Sequence, residues 1–377
     1  MNTKEISELR RRFRADKHNF THVHGCYVSE KKELLSQFTE TLTLLPEDEE
    51  EKILNLLKKS MSGTLGKNLT DLTFATSQVV AGDQHRLLMA LRESKLEDEG
   101  LLTTLYQNIA KSLNMDTSYL ILLAYDTYDV PYRTRDDAEL GEASSEVFRY
   151  FVCSICPVKQ TRPSLGFHVH ENRFLNIGTD WAVSGPEVGF LFPAFDNRAT
   201  NIYNALYYTR NAAENHPDFV DAVFHTPILM PATEQRATFQ AILSDSVGED
   251  CSLEVVQAVQ DQLTGLIEEH KEHKIPEPLV VSHRTIQGIL ESCQVSEEKR
   301  TNFGEKYAEA FGAETELSPA NLVDPKKMEL RTSEVTIQVP PEQSQLVQTK
   351  VIDGVKYIMV RVEQGVEVNG VDINITE

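Results

Sequence analysis

An α+β fold, with a mixed or antiparallel sheet covered by helices, is the class this sequence predicts, and three observations predict it. Apolar, β-prone runs at residues 119–126, 148–156 and 187–195 have the length of buried central strands. Segments of helical period surround them. At residues 84–94 the stripe is Leu87, Leu88 and Leu91; at 98–114 it is Leu101, Leu102, Leu105, Ile109 and Leu113. Beyond residue 331 the composition changes to short, alternating, β-branched segments. The expected organisation is a main α+β domain over residues 1–230, a helical segment over 231–311, a linker over 312–331 and a small C-terminal antiparallel β-module over 332–377.

Each element has its own justification. Thr3 can cap a first helix in which Ile6, Leu9 and Phe13 share a face, with the arginines on the other side. Residues 21–28 (THVHGCYV) alternate as a strand, residues 29–32 form a polar turn, and residues 33–42 return as a strand or open a helix. Pro46 starts a helix to about Met61, acidic in its first turns and basic at its end, as the helix dipole favours. Residues 62–68 (SGTLGKN) have the outline of a phosphate-binding loop. The glycine spacing is wrong, however, and Asn68 stands where Ser or Thr would hold magnesium, so a glycine turn into a strand at 69–75 fits better. The central run from Tyr119 ends in a rim turn at residues 125–131, and residues 133–145 form an exposed loop. Residues 201–210 fit strand or helix, and Pro217 opens a short helix ending near Phe224.

Past Pro231, helices are expected at about 234–243 and after Ser252, then as a pair at 282–293 and 296–311. That pair has the outline of a DNA-reading helix-turn-helix, but Glu297, Glu298, Glu305 and Glu309 make its second helix a poor surface for phosphate. In the last region Asp353-Gly354 is a strong two-residue hairpin signal and Asn369-Gly370 a second. The strands expected at 334–339, 346–352, 355–362 and 366–375 are one-faced, so this module is expected to pack on the main domain or on a second subunit.

Bulk properties exclude several functions. A net charge of −21 and a pI near 5.0 disfavour broad binding to nucleic acid or anionic membranes. The local exception is the cluster Arg10, Arg11, Arg12 and Arg14. No run approaches the roughly 18 apolar residues of a membrane span, and the N-terminus carries no apolar leader. Five scattered cysteines do not read as a disulfide framework. The expectation is a cytoplasmic, reduced protein with no membrane span.

Chemistry has three places to sit. Asp126 and Asp129, at the expected end of a central strand, can meet Asp196 and Arg198 of the turn at 196–198; carboxylates fixed at a sheet rim suit metal binding or general-base work. Cys153 and Cys156 form a CxxC followed by His168 and His170, a writable zinc set, although in a regular strand the two thiols face opposite sides. His22, His24 and Cys26 share one strand face and offer three zinc-compatible atoms. Satisfied turn aspartates, structural thiols and a polar strand face explain the same residues without chemistry, and no catalytic or cofactor signature is complete.

The segments RRRFRADKHNFTHVHGCYVSEKKEL, SGTLGKNL, HRLLMALRES, ILLAYDTYDVPYR, CSICPVK, GFLFPAFDNRATNIYNALYYTRNAAENHPDFVDAVFH and VIDGVKYIMVRVEQGVEVNGV together resemble a bacterial domain family of unknown function found in Clostridia and related Firmicutes. The resemblance spans nearly the whole chain. It implies a cytosolic bacterial protein and no particular activity, and it carries over no catalytic residue. The leading expectation is an interaction or regulatory protein without catalysis, with a protein partner or self-association. The alternatives are a metal-dependent hydrolytic enzyme using the carboxylate or Cys/His sites and a nucleic-acid-associated factor using the N-terminal arginines.

Overall fold

The computed structural model describes residues 1–133, 139–228, 230–273, 275, 278–362, 365–368 and 371–373, with the backbone alone at 132, 133, 139–146, 168, 177 and 368. The chain forms two compact units, the first chiefly Met1–Pro231 and the second made of Ala232–Ile275 and Leu279–Glu377.

The first unit is α+β and is built on one eight-stranded sheet. From one edge the strands run Leu34–Thr41, His22–Val28, Tyr119–Arg133, Glu139–Gln160, Val188–Phe192, Asn204–Thr209 and Leu69–Thr73, and Trp181–Val183 pairs with the end of Glu139–Gln160. All of these pairings are antiparallel. Both faces are covered, which is why the central strands read as continuous apolar runs. Ile121, Leu123, Phe151, Cys153 and Phe190 face one layer with Leu88, Leu105 and Phe224 of the helices Asp83–Glu93, Glu99–Ser112 and Pro217–Phe224. Their neighbours Leu122, Ala124, Tyr150, Val152, Cys156 and Leu191 face the other, with Ile6 and Leu9 of Thr3–Arg10 and Leu54 and Leu57 of Glu47–Lys59.

Gly189 lets that second layer approach. A Cβ there would lie 2.2 Å from Ser60 Oγ and 2.8 Å from the Cys153 carbonyl, and the space it leaves lets Ser60 and Ser154 share a buried 2.6 Å hydrogen bond.

Several expectations change. The first helix is capped by Asn2, whose side chain accepts from the backbone of Lys4 and Glu5, rather than by Thr3. Residues 33–42 and 201–210 resolve as the strands Leu34–Thr41 and Asn204–Thr209, because each finds a strand partner. The rim turn at 125–131 is absent: Tyr119–Arg133 is one strand of 15 residues. Asp126 sits opposite Tyr150 and Asp129 opposite Val147 in a ladder that the partner strand extends, and the buried Val130 continues the alternation. Residues 139–145 are strand rather than loop, and 134–138 lie outside the described residues. The 187–195 run is broken at Pro193, which follows a cis peptide bond, into Val188–Phe192 and Ala194–Asp196. The second piece forms a hairpin with Ala199–Asn201 across the left-handed pair Asn197 (φ 51°) and Arg198 (φ 58°).

In the second unit the helices Ala232–Val247, Leu253–Glu272, His283–Ser292 and Glu297–Phe311 share a core that includes Phe239, Val259, Leu290 and Phe303. Residues 312–331 are no free linker, since Leu317, Leu322 and Val323 are buried in that core. The prolines that suggested a linker open the short helix Pro319–Leu322 and precede the strand Met328–Arg331. Three two-stranded hairpins follow: Met328–Arg331 with Thr336–Val339, Val347–Ile352 with Val355–Val360, and Val366–Val368 with Val371–Ile373. Asp353 (φ 50°) and Gly354 (φ 79°) form the expected turn. Asn369-Gly370 and Ile375 lie outside the described residues.

Candidate functional site

Two of the three aspartates proposed for chemistry, Asp126 and Asp196, are bound up in docking the first helix. Asp126 is fully buried. Its carboxylate accepts from Arg12 Nε at 2.8 Å and Arg12 Nη2 at 3.2 Å, from the Tyr150 hydroxyl at 2.7 Å and from the Asn19 backbone N–H at 3.2 Å. Burial works to lower the Arg12 guanidinium, but the charge and hydrogen bonds of Asp126 outweigh it and the net shift is upward. Burial, reinforced by Asp126, pushes the Tyr150 hydroxyl well up, so it stays protonated and donates. Asp196 accepts from Asn201 Nδ2 at 3.0 Å and lies 3.5 Å from the Met1 ammonium, which also bonds Asp71 at 2.8 Å. Arg198 donates to Glu8 Oε1 at 2.9 Å, where the Tyr128 hydroxyl also donates at 2.7 Å.

Asp126 and Asp196 are therefore held by cations at opposite ends of an eight-residue helix, about 12 Å long. Asp129 is exposed and lies an odd number of residues from Asp126, on the opposite strand face. The three do not surround one point. Of the arginine cluster, Arg12 is taken by Asp126, and Arg14 pairs on the surface with Asp16 at 2.9 Å.

The CxxC is split by the sheet. Cys153 lies in one core layer and Cys156 in the other, and burial pushes both thiols up, Cys156 to about 12. His170 lies in the exposed turn after the strand Ser164–His168, and the His168 side chain lies outside the described residues. Cys153, Cys156 and His170 form no ligand set among the described residues. No group of three or more His, Cys, Asp or Glu side chains among the described residues is arranged to hold a metal ion.

His22 and His24 are brought together, with ring centroids 6.3 Å apart. Cys26 shares their strand face but is buried in the core, its thiol pushed by burial to about 11. The two imidazoles line a cleft of roughly 600 Å³ with Tyr125 and Thr127 of the next strand and Lys95 and Glu97 of the loop between helices. Two imidazoles bound tetrahedrally to one zinc have centroids about 5 Å apart, with Zn–N near 2.1 Å; the observed spacing would require nearly linear ligation. His24 Nδ1 faces Thr39 Oγ1 at 3.1 Å and His22 Nδ1 faces Thr21 Oγ1 at 3.0 Å, which leaves each Nε2 available. Burial, with His22 adding in the same direction and Glu97 opposing, holds His24 below its usual range, so it is neutral at pH 7. The chain enters this loop through two consecutive left-handed residues, Lys95 (φ 55°) and Leu96 (φ 65°). Leu96 is fully buried, and its N–H bonds the Leu91 carbonyl at 3.0 Å.

A second feature is a surface rather than a cleft. Past the Trp181–Val183 pairing, the chain leaves the sheet as an arm. Thr161 and Asp180 close its neck through a 2.7 Å backbone bond, and Ser164–His168 pairs with Arg173–Ile177. Leu165, Phe167 and Phe174 share one face, with the two rings 5.2 Å apart. They are 70%, 49% and 66% exposed, and Trp181 at the base is 56% exposed. Sequence reasoning missed this arm by reading residues 167–170 for histidines; the alternation of Leu165, Phe167 and Val169 against Phe174 was the available signal. It also missed Lys95, Glu97 and Tyr125, which meet the histidines only through tertiary packing.

No helix among the described residues is long and apolar enough to cross a membrane. One family model, described as a domain of unknown function (DUF4317), matches residues 1–371. Neither the curated proteins nor the solved structures include a match.

Proposed function

From the premise that this chain belongs to the DUF4317 family, whose description names no activity, we propose that it is a cytoplasmic interaction protein that works by binding rather than catalysis. The observation that carries this reading is the apolar arm. Its large side chains leave on the order of 600 Å² of apolar surface in water, as much as the largest patch of an ordinary monomer. An isolated two-stranded hairpin is marginal without cover, and this one pairs with no third strand among the described residues.

The occupant we assign is a second copy of the chain. The arm carries Lys159, Arg162 and Arg173 against Glu171 and Asp180, while the chain as a whole stands at −21. It is thus a region where two otherwise repelling copies can approach, and a two-fold contact would set the same rings against each other. Five unpaired cysteines support the reducing compartment.

Sedimentation velocity over the micromolar range tests the assignment. The wild type is expected to self-associate, and Phe167→Ser/Phe174→Ser to sediment as a monomer with unchanged circular dichroism. A monomeric wild type removes self-association. Association unaffected by the double substitution assigns it to another surface, such as the hairpin that exposes Val351, Val355 and Tyr357.

A further inference from the structure

We infer that the cleft between the strand His22–Val28 and the loop carrying Lys95 and Glu97 binds a small molecule through an oxyanion, a phosphate or a carboxylate. Its volume of roughly 600 Å³ lies inside the range of about 300–1,000 Å³ usual for small-molecule sites. Its walls carry groups that can donate to an anion: the Lys95 ammonium, the Tyr125 phenol, whose oxygen accepts from Thr127 Oγ1 at 3.4 Å, and two imidazoles whose Nε2 donates in the tautomer in which Nδ1 accepts from Thr39 or Thr21. Lys95 is exposed and makes no ion pair within 4 Å among the described residues, on a chain whose net charge is −21. The backbone at Lys95 is fixed rather than floppy. The left-handed pair Lys95–Leu96 is uncommon for residues with side chains, and the burial of Leu96 pins it. That turn places Lys95 on the cleft wall.

Four titratable groups share the cleft with His24: His22 on its own strand and Glu97 on the loop, whose charges act on its ring, together with Tyr125 on the neighbouring strand and Lys95 on the loop. The edge strand contributes only the neutral Thr39. A bound anion favours the protonated form of His24, which burial otherwise opposes, so affinity rises as pH falls. Glu97 is the one carboxylate in the cleft and works against the anion.

Isothermal titration calorimetry of the whole chain with inorganic phosphate, and separately with citrate, at about pH 6 and about pH 8 tests this. Binding is expected at the lower pH and to weaken at the higher. Lys95→Ala should weaken it about tenfold, and Glu97→Gln should tighten it about threefold, a gain that a misfolded variant cannot produce. A response to phosphate alone assigns a phosphate ligand, and a response to citrate alone assigns a carboxylate. Binding of neither at the lower pH, or binding indifferent to both Lys95→Ala and pH, overturns the inference. Because the cleft and the arm use different residues, Phe167→Ser/Phe174→Ser leaves this binding unchanged and separates the two proposals.

Discussion

Replacing Asp126 by alanine should cost stability, and the size of the loss can be worked from its contacts. The substitution strands the Arg12 guanidinium, whose side chain is only 14% exposed, and removes the acceptor of the Tyr150 hydroxyl. Removing one partner of a buried ion pair costs about 3–5 kcal/mol. Arg12 keeps a cation–π contact, its guanidinium carbon 4.7 Å from the Tyr128 ring centroid, and retains some water, so the lower end, about 3 kcal/mol, is expected. Asp126→Asn keeps the shape and one acceptor and should lose about 1–2 kcal/mol. In Arg12→Leu/Asp126→Leu the two losses should fall well short of additive, because no charge is left stranded. Urea unfolding followed through Trp181, the only tryptophan and part of the same unit, gives the midpoints. For Asp126→Ala the midpoint should fall by about 1 M or more at unchanged slope. A loss below about 0.5 kcal/mol would refute the view that this carboxylate is consumed in docking the first helix.

Three further outcomes follow from the packing. With a thiol reagent at neutral pH the folded protein should react at Cys251 and Cys293, while the buried Cys26, Cys153 and Cys156 react only on unfolding; rapid reaction of all five in the folded state would contradict the split of the CxxC across the sheet. Alkali should destabilise the first unit. Burial raises Cys26 to about 11 from 9.0 and Tyr119 to about 12 from 10.0. The stability these groups contribute is therefore full below their unfolded values and lost as pH rises towards the folded ones. Tyrosinate absorbance should lag until unfolding, and smooth titration of every tyrosine near 10 would count against it. Gly189→Ala should cost about 1–3 kcal/mol through the clash with Ser60, and Ser60→Gly in the same chain should recover part of the loss; thermal melts with no recovery would place the strain elsewhere.

What the sequence disclosed follows from the range of the interactions concerned. The α+β class, the opposed faces of Cys153 and Cys156, the helix pair and the Asp353-Gly354 turn rest on periodicity and local turn chemistry, which the chain carries within a few residues. The central strand was read too short because Asp126 resembles a strand terminator until Arg12, 114 residues away, neutralises it. The candidate site divides the same way. His22 and His24 share a strand face by alternation alone, whereas Lys95, Glu97 and Tyr125 join them only because the turn at Leu96 folds back onto the sheet. Asp126, Asp129 and Asp196 were chosen for chemistry by residue type. The partners of Asp126 and Asp196, the Arg12 guanidinium and the Met1 ammonium, become visible only when the first helix is docked.

The interaction reading is tested most directly at Trp181, since it stands at the base of the apolar arm and is 56% exposed. Its emission should move to the blue as protein concentration rises through the micromolar range and should stay red in Phe167→Ser/Phe174→Ser. An emission maximum that stays at the solvent-exposed position at every concentration would contradict the account.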